Sequence, residues 1–262
     1  MNRTIRSIIF LTVFLCFLFA SIPASAQGIE PYHFGFKKSK DGKLPSIAEE
    51  GFMDTLQENG AIFLGNTENK ELFLTFDSGY ENGYLPGILD VLKAKKVTAV
   101  FFVTGHFVRS QTELLKRMVN EGHLIGNHSW SHPDMTQISD MQIKNELEKV
   151  KEEVTKLTDQ QNMRYVRPPR GIFDERMLRV CGELGYTNVF WSVAYKDWDV
   201  KQQKGWSYAY ENVMGQLHPG AVILLHSISS DNAGALGKIV DDARQRGYEF
   251  KRLDQLNIKK YR

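Results

Sequence analysis

The sequence predicts an α/β protein in which a parallel sheet closes into a barrel, or a barrel short of one strand. Three observations carry this. From about residue 71, seven short apolar runs alternate with helical patterns. The runs are apolar almost throughout, as strands covered on both faces must be. The polar clusters follow directly after the runs, where a parallel barrel builds its site.

Taken in order, the chain begins with a segment that is not fold. Arg3 and Arg6 precede an apolar run over residues 8–20, and Ala24-Ser25-Ala26 follows. That is the basic, apolar and small-residue layout of an export signal, expected to be cleaved after Ala26. A membrane span wants about 20 apolar residues, so this run is short, and the cleaved chain is expected to hold no span. Residues 27–66 read as an irregular extension packed on a main domain over 67–262. In that domain the predicted strands are 72–76, 97–103, 123–127, 165–167, 187–193, 222–225 and 248–252. The predicted helices are 86–95, 111–121, 140–157, 175–184, 208–217 and 233–246. No G-x-G-x-x-G follows the first strand, so no dinucleotide site is signalled.

Composition narrows the function. Of 262 residues, 42% are hydrophobic and 24% charged, with a net charge of +2. This excludes disordered, fibrous and multi-pass membrane classes, and the basic excess of a nucleic-acid binder is absent. Without Arg3 and Arg6 the remaining chain is formally neutral, so any preference for an anionic ligand must be local. Cys181, at helical spacing from Met177 and Leu184, reads as a small buried hydrophobe.

Five polar clusters stand at predicted strand ends. They are Thr75-Phe76-Asp77-Ser78-Gly79, Asn127-His128-Ser129-Trp130-Ser131-His132-Pro133, Arg167-Pro168-Pro169-Arg170-Gly171, Lys196-Asp197-Trp198 and Leu224-Leu225-His226-Ser227. A barrel brings all five to one rim. His128 and His132 are four apart and face one cation if their turn is helical. Asp77 reads as a metal ligand, a general base or a helix cap. His226, placed across the barrel, suits a general acid. Arg167, stiffened by the prolines, either orients Asp77 or forms a surface ion pair. Asp197 is a partner for a histidine or an arginine, with Trp198 as an apolar wall. His33, His106, His123 and His218 are left as structural or surface residues.

The H-S-x-x-H-P and R-P-P-x-G segments, with Thr75-Phe76-Asp77 before them, resemble the polysaccharide deacetylase family, the NodB-homology domain of carbohydrate esterase family 4. The resemblance covers about residues 70–255. It is nearest to the branch acting on N-acetylmuramic acid in peptidoglycan, which leads to muramic δ-lactam in spore cortex. It implies a distorted (β/α)7-8 TIM-like barrel and a hydrolase using one divalent metal ion, expected to be zinc. By motif matching, Asp77 is the catalytic base, His128 and His132 are the metal ligands, and Arg167 orients the base. Asp197 tunes the catalytic histidine, His226 is the general acid, and Trp198 and Leu224 line the acetate pocket. The Arg170 backbone N–H is matched to the oxyanion, and its side chain to the lactyl carboxylate. The implied partner is a peptidoglycan strand, met outside the cytoplasm by a monomer. Ser78 departs from the pattern, where an aspartate would be the third ligand. The alternatives are a deacetylase of N-acetylglucosamine or chitin oligosaccharides, and a metal-free glycan-binding module.

Overall fold

A computed structural model describes residues 30–36, 39, 42–45, 47 and 50–256, and the described residues from Pro31 onward gather into one compact unit. The expected export signal lies outside the described residues. In chain order the elements are β1 (Tyr32–His33), α1 (Met53–Glu58), β2 (Glu71–Ser78), α2 (Leu85–Lys95), β3 (Val100–Val103), α3 (Gly105–Ser110) and α4 (Thr112–Asn120). Then come β4 (Leu124–Asn127), α5 (Asp140–Leu157), β5 (Tyr165–Val166), β6 (Ile172–Phe173), α6 (Glu175–Glu183) and β7 (Thr187–Asn188). The chain closes with α7 (Trp206–Met214), β8 (Ala221–His226), α8 (Ser230–Gln245) and β9 (Glu249–Lys251).

The main sheet runs β7-β5-β4-β3-β2-β8 with every pair parallel. Every β2 residue after Glu71 is buried, because helices cover the outside and side chains fill the inside. Alternation assigns the two faces. Phe73, Val100, Phe102 and Val222 join Ile62 and Val189 in one apolar cluster, separate from the layer beneath the helices. Asp77 is four residues past Phe73 and therefore shares that inward face. β9 pairs with Glu71–Phe73 of β2. Since β8 occupies one edge of β2, β9 takes the edge that β3 uses further along.

Helix signals act where the sequence places them. Ser139 and Gln142 form a capping box at the start of α5, whose buried residues are Ile143, Leu147, Val150 and Val154. That spacing is one helical stripe. Ser229 caps α8 and starts it three residues before the expected position, since its side chain accepts from Asn232 N–H.

Three expectations need correction. The region 27–66 is not wholly irregular: it contains β1 and α1, and β1 pairs antiparallel with β6. The strand expected over 187–193 ends at Asn188. Beyond it Ile62 takes the pairing, accepting from Phe190 N–H at 2.6 Å and donating to Asn188 C=O at 2.8 Å. Val193 then meets β8 through a single bridge to Ile223. The β7 and β8 edges thus meet across a seam filled by the segment near Ile62, which is the distortion of this barrel. Finally, α3 was absent from the expected helices. It is one short stretch capped by Thr104, too brief to leave a periodic signal.

Phe34 locks the N-terminal segment to this seam. It is fully buried, stacks on Phe190 at 4.7 Å and meets Trp191 edge-on at 5.3 Å. Phe34→Ala should lower stability by about 3–5 kcal/mol, the range for emptying such a buried site. Urea unfolding reads it, and a loss below about 1 kcal/mol would show that the segment is not part of the core.

Candidate active site

The side chain that organises the site is Arg167, just past β5. It is completely buried. Its Nη1 donates to Asp77 Oδ1 at 2.7 Å and its Nη2 to Thr75 Oγ1 at 2.9 Å. Its Nε donates to Val189 C=O at 3.1 Å, and Nη2 also reaches Phe190 C=O at 3.2 Å. The guanidinium lies 4.2 Å from the Phe102 ring centroid. These partners exclude a surface ion pair for Arg167 and a helix cap for Asp77.

Asp77 is the penultimate residue of β2 and is 6% exposed. Burial alone would raise its carboxyl. The adjacent Arg167 charge, helped by His128 and His226, outweighs that and holds it below the usual 3.8. Its second oxygen, Oδ2, is 3.5 Å from His128 Nε2. His128 Nδ1 is 2.8 Å from the Arg167 carbonyl. A carbonyl only accepts, so Nδ1 carries the proton and Nε2 presents a lone pair. Burial keeps His128 below the usual histidine range.

His132 is not on a helical turn. The loop after β4 bends through left-handed residues, Ser129 at φ 63° and His132 at φ 58°. Asn127 Oδ1 accepts from Ser129 N–H, Ser129 Oγ accepts from His132 N–H, and Glu146 of α5 holds Ser131. Trp130 packs against Gly105, where any side chain would collide with its ring. This scaffold brings the two imidazole centroids to 4.8 Å. Desolvation in the cleft and the neighbouring His128 keep His132 low as well.

Two neutral imidazoles beside a carboxylate oxygen, with no proton between His128 Nε2 and Asp77 Oδ2, fit a divalent cation. Ser78 stands apart from this donor set. It is fully buried and its Oγ is 2.9 Å from Ser227 Oγ. Among the described residues, no cluster of three or more histidine, cysteine, aspartate or glutamate side chains forms a closed metal site.

His226 ends β8 and is not across the barrel. In the β2–β8 ladder it is the direct register partner of Asp77. The last long strand returns beside the first of the ring, and sequence order does not show this. Asp197 is the partner of His226, not of an arginine. Its Oδ1 is 2.7 Å from His226 Nδ1, and its Oδ2 accepts from the His226 N–H at 2.7 Å. Burial would lower the imidazole, but the Asp197 charge and hydrogen bond prevail and raise it above 6.5. Asn232 and Tyr195 were missed from sequence. Asn232 Nδ2 donates to Asp197 Oδ2 at 2.6 Å, and Tyr195 O–H donates to Asn232 Oδ1. The only sequence signal for Asn232 was its place in the first turn of α8.

These groups open on a cleft of about 1080 Å³. Asp77, His128, His132 and His226 line it, with Arg170, Trp198 and Leu224. Arg170 sits in a left-handed turn at φ 59°. Its side chain is 54% exposed and its Nη2 is 3.4 Å from Asp134. His106, read from sequence as structural or surface, also lines the cleft. Cys181 is buried away from it, and burial pushes its thiol up to about 12.

Replacing Arg167 with Met leaves Asp77 buried without its partner, which should lower stability by about 3–5 kcal/mol at pH 7. In the native protein Asp77 contributes stability above pH 3.8 and loses it as pH falls. In the variant, burial acts without the arginine and raises the carboxyl, so protonation restores part of the loss. The difference between the two proteins in urea unfolding should therefore shrink toward pH 4. A difference independent of pH would contradict this.

Residues 64–189 match the family described as polysaccharide deacetylase. The chain is 49% identical over 245 residues to the peptidoglycan-N-acetylmuramic acid deacetylase PdaA of Bacillus subtilis, covering 93% of both proteins. It is 32% identical to a chitooligosaccharide deacetylase of a Bradyrhizobium species, over 72% of this chain and 91% of that one. The solved structure of Bacillus subtilis PdaA, a family 4 carbohydrate esterase, superposes with a TM-score of 0.84. It is 50% identical and covers 87% of this chain and 97% of that one. The Arg167-held carboxylate at the strand ends of a distorted barrel is thus found in a chain that belongs to the polysaccharide deacetylase family and is an enzyme of that family.

Proposed function

We propose that this enzyme removes the N-acetyl group from N-acetylmuramic acid in peptide-free peptidoglycan, releasing acetate and leading to muramic δ-lactam in spore cortex. The carrying observation is the pairing of Asp77 and His226 on adjacent strand ends with opposite proton affinities. Two titratable groups pushed apart in this way can divide base and acid work.

Asp77, ionised beside Arg167, takes the proton of the water that attacks the amide carbonyl. The backbone N–H of Arg170 is the donor assigned to the developing oxyanion. His226, protonated and steadied by Asp197, delivers its proton to the departing amine, and acetate leaves. Leu224 and Trp198 flank the acetyl methyl. A zinc-type divalent ion held by His128 and His132 would supply Lewis-acid polarisation there. Metal binding and roles for these residues are part of this proposal.

Arg170 is the assigned reader of the lactyl carboxylate. Its ion pair with Asp134 is solvent-exposed, so its strength is small and a ligand carboxylate can compete for the guanidinium. After deacetylation the free amine can attack the lactyl carboxyl of the same sugar, closing the lactam with loss of water. The reacting groups share one ring, which confers a large effective concentration. The near-full-length similarity to a muramic acid deacetylase supports this substrate. An exported enzyme acting at the cell wall fits the N-terminal sequence pattern. Among the described residues, no helix is long and apolar enough to cross a membrane.

Mass spectrometry of products from peptide-free peptidoglycan, intact peptidoglycan and chitooligosaccharide tests the substrate. Loss of one acetyl on the first substrate alone is expected. Arg170→Ala should lower that activity by about tenfold, the equivalent of one charge-assisted contact, with little change on any chitooligosaccharide side activity. Preferential turnover of chitooligosaccharide would overturn the muramic assignment, and equal losses on both substrates would remove Arg170 from it.

The pH profile tests the acid. If His226 donates the proton, kcat/KM falls as pH rises through its value, which lies above 6.5. Asp197→Asn removes the charge that raises it, so this alkaline limb should move to lower pH. An unmoved limb would mean that another group sets it.

A further inference from the structure

The cleft reaches well past the reacting groups. Its roughly 1080 Å³ lies just above the range of pockets that hold drug-sized ligands, about 300–1,000 Å³. One N-acetylated sugar is smaller than such a ligand, so the cleft has room for another ring. One wall is aromatic. Phe36 stacks on Trp198 with centroids 5.7 Å apart and planes inclined by 23°. Both line the cleft, and they remain 38% and 42% exposed. The Trp198 ring is 5.5 Å from that of His226, so this wall begins beside the assigned proton donor.

Phe36 is held there by its neighbours. Phe34, two residues earlier, is fully buried, and its N–H donates to Gly171 C=O at 2.9 Å. Trp191 Nε1 donates to Gly35 C=O at 2.9 Å. Gly35 turns the chain at φ 60°, in the left-handed region that glycine adopts without strain. The N-terminal segment thereby presents an aromatic ring to the cleft. This residue lies outside the region matched to the family, residues 64–189.

We propose that Phe36, braced by Trp198, forms a second sugar-binding position, taking the C–H face of the pyranose next to the residue being deacetylated. The choice of occupant rests on the glycan-deacetylase reading above. A sugar suits the wall because its ring face is apolar while its rim is polar. Tyr80, Glu81, His106 and Arg109 line the same cleft and can meet its hydroxyls. Continuity with the reacting groups makes the occupant a neighbouring sugar of the same strand, not a separate ligand.

Calorimetric titration in an Asp77→Asn background, which halts the proposed turnover, tests this with N-acetylmuramic acid alone and a tetrasaccharide from peptide-free peptidoglycan. Adding Phe36→Ala should weaken the tetrasaccharide about tenfold and leave the single sugar within about twofold. Phe36→Tyr keeps the ring and should bind the tetrasaccharide as the background does. Three results would overturn the proposal: a tetrasaccharide affinity unmoved by Phe36→Ala, an equal loss on both lengths, or no tetrasaccharide binding in the background. Acetate release by the native enzyme separates the two readings. A length-dependent Phe36 effect with no acetate from any glycan sinks the deacetylase reading alone. Acetate release without a Phe36 effect sinks only the sugar-binding position.

Discussion

A buried ion pair, Arg167 with Asp77, sets the terms for the rest of the molecule. Charges inside a barrel are costly to desolvate unless their hydrogen-bonding capacity is met. Here the guanidinium serves Asp77, Thr75 and the carbonyls of Val189 and Phe190 together. Those carbonyls belong to the seam where β7 gives up regular pairing. The seam therefore has an arginine in place of part of a strand ladder, and the arginine has a carboxylate as its counter-ion. Planar geometry with several donors suits Arg for this, and a lysine could not span the same partners.

The pair also orders the chemistry around it. The Arg167 carbonyl sets the His128 tautomer, while its side chain holds Asp77 ionised. In the next strand, Asp197 raises His226 by the same kind of interaction with opposite consequence. Two groups on the same ladder rung are thereby biased toward losing and keeping a proton. Ser78 follows Asp77 on β2, yet its hydroxyl is committed to Ser227. Position 78 thus brings no second carboxylate beside Asp77 and the two imidazoles.

Periodic signals carried most of the fold. The helix read over 140–157 is α5 to the residue, because its stripe and its Ser139 cap agree. The segment near Ile62 was opaque, since isolated bridges such as those of Ile62 and Leu64 have no period. The histidine loop was misjudged for a related reason. Spacing of four suggested a helical turn, but two left-handed residues deliver the rings instead. The nine site residues named from motif order all lie at or beneath one cleft. What motif order could not supply was adjacency: Asp77 and His226 are neighbours only because β8 returns beside β2. Asn232, Tyr195 and Phe36 reach the cleft region through individual side-chain contacts, which leave no mark in spacing.

The central claim is that Asp77 stays ionised inside the barrel because Arg167 is beside it. Carbon-13 NMR titration of the Asp77 carboxyl in the native protein tests this most directly. The account predicts a midpoint below the ordinary aspartate value of 3.8, with the carboxylate still charged at the acid end of the native range. A midpoint at or above that value would mean that burial outweighs the arginine, and the assigned base would lose its physical ground.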